Sequence, residues 1–217
     1  MLDFDQAREN MVECQIRTNK VTDERLIEAL RTVPREAFLP EALKSVAYID
    51  EDLHLGGGRY MTEPMVLARL LQAADVGPGD AALVVGCTTG YAVALLAQLA
   101  ETVVGIDDRA ELVAAAEKNL SALGIDNAPV IERSLTEGYP QQAPYAIILI
   151  EGRCGEVPQA ITSQLAPGGR LVTVIDDDGV GKATLIKRSG DVVSSRVLFD
   201  AQVPSLTCFA RKPEFVF

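Results

Sequence analysis

The residues with the clearest chemical potential lie in one short turn. Val85-Gly86-Cys87-Thr88-Thr89-Gly90-Tyr91 follows an apolar run and opens a helical pattern. Glycine at a strand-to-helix turn lets the backbone approach a ligand closely, and ligands of open α/β sheets bind at the carboxyl ends of the strands. Asp107 ends the next apolar run, about 20 residues past Gly86, the spacing at which a carboxylate accepts ribose hydroxyls. Together they suggest an adenosyl-type cofactor, although two glycines at such a turn are also compatible with a purely structural role. The glycine fingerprint of NAD-binding turns is not present. The single histidine, His54, leaves little room for hydrolase schemes that need histidine as a base, and it reads best as a loop residue.

Alternating strands and helices must position that turn. Ala82 to Val85, Thr102 to Ile106, Pro129 to Ile131 and Tyr145 to Ile150 read as strands. Tyr91 to Leu99, Arg109 to Leu123 and Glu156 to Leu165 read as helices, and Gly169 to Ile175 as a further strand. Apolar strands alternating with helices imply a parallel sheet covered on both faces. Ala183 to Lys187 and Val192 to Phe199, with Gly190-Asp191 between them, imply an antiparallel hairpin at one edge. The expectation is a doubly wound, mostly parallel, seven-stranded α/β sheet from about residue 80, preceded by N-terminal helices.

Residues 1 to about 48 read as helical. Thr22 is expected to cap a helix carrying Leu26, Ile27, Leu30 and Val33, which Pro34 stops. Residues 49–64, with Gly56-Gly57-Gly58, read as a turn-rich loop, and Met65 to Ala74 as a helix. The chain divides into an N-terminal helical segment and loop, 1–75, and an α/β core, 76–217, expected to form one structural unit.

Composition narrows the partners. Of 217 residues, 20 are basic and 31 acidic, a net charge of −11, which disfavours a nucleic-acid backbone as partner. Hydrophobic residues at 48% with 5% aromatics describe a globular chain with an aliphatic core. Cys14, Cys87, Cys154 and Cys208 stand apart, which fits free thiols in a reducing, cytoplasmic compartment rather than disulfides or a metal site. Neither a leader segment nor a membrane-spanning run is apparent.

The sequence resembles the protein-L-isoaspartate O-methyltransferases over nearly its whole length. The resemblance is carried by Val33-Pro34-Arg35-Glu36-Ala37-Phe38-Leu39-Pro40, Ala47-Tyr48-Ile49-Asp50, Met61-Thr62-Glu63-Pro64 and Gly86 to Tyr91. It continues through Ala143-Pro144-Tyr145, Gln164 to Val172 and Val203-Pro204. It implies the S-adenosylmethionine-dependent methyltransferase fold and methyl transfer to the isoaspartyl carboxylate of damaged proteins, a form of protein repair. By the same resemblance, Gly86, Cys87, Thr88, Gly90, Asp107, Ser134 and Leu135 would hold the cofactor. Thr62 would donate its hydroxyl to the substrate carboxylate, with Tyr60, Met61 and Pro64 around the substrate; capping of the following helix is the structural alternative for Thr62.

Several positions depart from the family pattern. Val84 replaces a strand-end acid, Thr88 a glycine, and Arg133-Ser134-Leu135 an adenine-contacting Gly-Asp-Gly. Ala146 replaces an aspartate, and Glu151 and Arg153 stand where small residues are usual. Two function classes therefore follow: an active methyltransferase, or a catalytically impaired relative that binds a protein or small ligand. The sequence leaves oligomeric state open.

Overall fold

The computed structural model describes residues 3–211. Helix α1, Phe4–Met11, runs into a π-helical turn, Val12–Ile16, and a short 3-10 turn. Helix α2 spans Glu24–Thr32. Its cap is Asp23, not Thr22: the Asp23 carboxylate accepts the Arg25 and Leu26 amides at 2.9 and 3.4 Å. The Thr22 amide instead donates to Gln72 Oε1 at 2.6 Å. A carboxylate beside the positive helix start outcompetes a hydroxyl one residue earlier.

Residues 49–64 do not form the expected loop. Strand β1, Leu53–Gly56, pairs antiparallel with β2, Arg59–Met61. Gly57 and Gly58 take φ values of 55° and 76°, which is the left-handed geometry a tight hairpin turn demands. Leu53 and Met61 face each other across the hairpin and are both buried, and with the partly buried Leu55 they anchor the ribbon on the core. Helix α3, Pro64–Ala74, follows with proline in its first turn, where the missing amide costs nothing.

The main sheet comprises β3, Ala81–Val85; β4, Thr102–Asp107; β5, Val130–Glu132; β6, Tyr145–Cys154; β7, Leu165–Asp177; β8, Val180–Ser189; and β9, Val192–Asp200. Between them lie α4, Tyr91–Ala97, α5, Ala110–Ala122, and α6, Gln159–Thr162. The strand order is β5-β4-β3-β6-β7-β8-β9, parallel through β7, with β8 and β9 added antiparallel. This is the doubly wound, seven-stranded sheet expected.

Helix α6 is much shorter than the expected Glu156 to Leu165. Pro158 biases Val157 away from helical geometry, and Leu165 is drawn into the sheet opposite Tyr145. Strand residues alternate between two buried clusters. Ala82 and Val84 join the side that holds the N-terminal helices, α4 and α5, whereas Leu83 and Val85 join the other. Both faces are therefore covered, and the ends of the strands are the remaining place for a ligand.

Candidate active site

The turn after β3 is fixed by the neighbouring strand. The Gly86 and Cys87 amides donate to the Ile106 carbonyl at 2.9 and 3.0 Å, and the Gly90 amide donates to Cys87 O at 2.9 Å. Gly86 and Gly90 have φ of 77° and 97°; a Cβ on Gly90 would meet Ala116 Cβ at 3.2 Å, so this glycine also seats α4 on α5. Thr88 adopts φ of 50°, so its branched side chain does not forbid the left-handed turn but takes it under strain. The Thr88 and Thr89 hydroxyl oxygens are buried with no hydrogen-bond partner among the described residues. Cys87 is fully buried, and burial pushes its thiol well above the ordinary range, so it is an inert packing group.

Asp107 stands at the end of β4, as its spacing requires, but its carboxylate is enclosed. It is 0% exposed, and accepts the Thr88 amide at 3.1 Å and the Arg109 amide at 3.2 Å. Arg59, from β2, lies over it with Nε 3.6 Å from Oδ1 and pairs with Asp108 as well. Burial raises the Asp107 pKa, opposed by Arg59 and the two amides. Arg59 was not foreseeable from the chain pattern: its partners lie far along the chain, and a basic residue after three glycines reads as surface.

Thr62 is nearly buried, and its carbonyl accepts Arg35 Nη2 at 2.8 Å. It does not cap α3: the cap position is Glu63, and no side-chain cap bond forms. Tyr60 is half-buried, with its ring 4.8 Å from that of His54. Met61 and Pro64 are placed differently from expectation. Met61 is 0% exposed inside the apolar cluster, and Pro64 is buried in the first turn of α3. Met61 is buried because its pairing with Leu53 turns it into the apolar cluster, and Pro64 because the first turn of α3 packs there.

At the end of β6, Glu151 is 5% exposed, its carboxyl oxygens are buried, and both lack a hydrogen-bond partner among the described residues. Burial pushes its pKa up to about 8, opposed by Thr62 and by the Arg35 charge, while Asp107 adds to the rise. Glu151, Thr62, Arg59, Gly152 and Leu206 surround a cavity of about 10 Å³, room for one water. A wider cavity of about 350 Å³ opens beside it, bordered by Gly57, Tyr60, Asp108, Arg109, Ser205 and Cys208. Leu135 and Leu206 pack toward Gly86, each 3.6 to 3.8 Å from where a Cβ would stand. Ser134 precedes the 3-10 turn Leu135–Glu137, and its hydroxyl lies 3.2 Å from that of Thr136. No cluster of histidine, cysteine or carboxylate residues able to hold a metal occurs among the described residues.

The Glu151 shift has a consequence for stability. This carboxyl titrates near 4.5 when free and near 8 when folded, so the folded state holds the proton more tightly. Its contribution is complete below pH 4.5 and is lost as pH rises to about 8. Glu151→Gln is expected to flatten the fall in stability over that window, where one group changes the unfolding constant by up to about tenfold per pH unit. Urea unfolding at a series of pH values measures the slope; an unchanged slope in the variant would place the titration elsewhere.

An adenosyl cofactor has a fitting donor set at these strand ends. Gly86 and Gly90 leave the turn open to close approach, Asp107 offers a carboxylate, and the Thr88, Thr89 and Glu151 oxygens await partners. The Arg59 side chain covers the Asp107 carboxylate, and Leu206 lies against Gly86 and Gly152.

Comparison with known proteins agrees with this geometry. The family model for protein-L-isoaspartate(D-aspartate) O-methyltransferase matches residues 6–204. A protein-L-isoaspartate O-methyltransferase of Methanoculleus marisnigri is 37% identical over 186 residues, covering 85% of this chain and 84% of its own length. One from Koribacter versatilis is 40% identical over 169 residues, covering 78% and 75%. A solved protein-L-isoaspartate O-methyltransferase superposes with a TM-score of 0.82 at 24% identity, over 92% of this chain and 65% of that one. A Plasmodium falciparum structure described as a putative member, in complex with S-adenosyl-L-homocysteine, gives 0.79 at 21% identity, over 95% and 99%. These two structural likenesses speak to the fold, whereas the family model and the sequence relatives decide membership. The chain belongs to the protein-L-isoaspartate(D-aspartate) O-methyltransferase family.

Proposed function

We propose that this chain transfers a methyl group from S-adenosylmethionine to the isoaspartyl carboxylate of damaged proteins, in the cytoplasm. The observation that carries the reading is the convergence of Thr62, the Gly86–Gly90 turn and Asp107 at one end of the sheet. That end is where β3 separates β4 from β6 and the chain order reverses. The cofactor supplies an electrophilic methyl group on a sulfonium sulfur. Asp107 would accept the ribose hydroxyls if Arg59 gave way, Gly86 and Gly90 would let the cofactor approach the backbone, and Ser134 and Leu135 would border the adenine. The acceptor carboxylate is already ionised near neutral pH, so no general base is required. The Thr62 hydroxyl donates to that carboxylate and holds it in line, while its carbonyl is fixed by Arg35. Leu206 and the hairpin then exclude water, and alignment supplies the rate.

Thr62→Val tests the assignment, since it keeps the shape and removes the donor. A hydrogen bond to a charged group is worth about 1.5–3 kcal/mol. The expected result is a loss of kcat/KM toward an isoaspartyl peptide of roughly tenfold or more. Affinity for S-adenosylhomocysteine should stay within about twofold, because the hydroxyl faces the acceptor. Methylation at the parent rate would remove Thr62 from the site.

A further inference from the structure

Glu151 has no place in the reading above, yet it stands at the reversal point of the sheet. Its strand, β6, flanks β3 there, with Ile150 opposite Val85. Its carboxyl is buried, both oxygens lack partners among the described residues, and it shares the small cavity with Thr62. The nearest donors, the Thr62 amide and hydroxyl, oppose the rise in its pKa but do not reach it in hydrogen-bond geometry, and a buried carboxyl so poorly served is unfavourable in its charged form unless a cation meets it.

Neither neighbouring guanidinium forms an ion pair with Glu151 among the described residues, although the Arg35 charge acts on it and Arg35 Nη1 has no partner. Arg35 donates to the carbonyls of Ala47 and Thr62, and Arg59 pairs with Asp107 and Asp108. The other groups whose charge acts on Glu151 or responds to it are Asp107 and Cys87, neither of them cationic. On β3, meanwhile, Val84 is fully buried in the apolar cluster and offers no carboxylate to this end of the sheet.

We propose that Glu151 is the counter-ion of the cationic methyl donor, its carboxylate facing the sulfonium beside the Thr62 hydroxyl. The inference rests on the methyltransferase reading and adds to it a charge-recognising residue at the strand neighbouring the glycine turn. Recognition by charge distinguishes the sulfonium of S-adenosylmethionine from the neutral thioether of S-adenosylhomocysteine. Free Glu151 carries its proton at neutral pH, so pairing with the cation releases that proton.

Calorimetric titration of the parent and of Glu151→Gln with both ligands tests this, at pH 7 in two buffers of different ionisation heat. The parent is expected to release up to about one proton on binding S-adenosylmethionine, and the variant to lose that release. The variant should also lose about tenfold or more in affinity for S-adenosylmethionine, with S-adenosylhomocysteine changed less than about twofold. Glu151→Asp, which keeps the charge, should restore part of the preference, and thermal melts of both variants establish that they fold. Equal changes for the two ligands, or unchanged S-adenosylmethionine affinity in Glu151→Gln, would overturn the counter-ion role while leaving the methyltransferase reading intact. Failure of the parent to bind either ligand would overturn both.

Discussion

Arg35→Met is expected to lower the unfolding free energy by about 3 kcal/mol, because it strips two buried carbonyls of their donor. Arg35 is fully buried; its Nε donates to Ala47 O and its Nη2 to Thr62 O, both at 2.8 Å. Its guanidinium also lies 4.9 Å from the centre of the Tyr91 ring, at the start of α4. One side chain therefore ties the segment before the hairpin, the residue that meets the acceptor, and the helix after the glycine turn. Methionine preserves much of the volume, so the loss reports the hydrogen bonds and not a cavity. Lysine retains a charge but lacks the planar fork and should recover only part of the stability. Urea midpoints of the three proteins measure the effect, and a shift smaller than about 0.5 kcal/mol would show that Arg35 does not tie these segments together.

The second large effect concerns Asp107 and the guanidinium that covers it. Asp107→Asn is expected to weaken S-adenosylhomocysteine binding by about a hundredfold, since two ribose hydroxyls lose a charged acceptor. Arg59→Gln should act in the opposite direction and tighten binding several-fold, because the nucleoside no longer competes with a buried ion pair. The pair of variants is more informative than either alone. If Asp107 served only to hold Arg59, both substitutions would change affinity in the same sense. Calorimetric titration of each against the same ligand decides between the two outcomes.

Much of the sheet was legible because its strands are short runs of aliphatic residues. Ala82 to Val85 and Ile147 to Ile150 are buried on both faces and need no partner information to be recognised. The hairpin at 53–61 was not legible, since strands of four and three residues carry too little periodicity, and its glycines read equally well as loop. Helix α6 shrank because Leu165 pairs with Tyr145, a tertiary demand that a local pattern does not contain. At the site, Gly86, Gly90 and Asp107 followed from spacing along one strand–helix–strand unit. Thr62 followed from resemblance alone. The burial of Met61 and Pro64, and the cover that Arg59 and Leu206 place over the turn, arise where distant segments meet. No periodicity in the chain encodes such contacts.

The measurement that reaches the central claim most directly is methyl transfer itself, with purified protein, isotopically labelled S-adenosylmethionine, and two peptides differing only in an isoaspartyl or an aspartyl linkage. The expected result is a base-labile methyl ester on the isoaspartyl peptide, little on its aspartyl counterpart, and loss of the product in Thr62→Val. Absence of label from both peptides, with the protein folded and the donor in excess, would contradict the account and assign the chain to binding without catalysis.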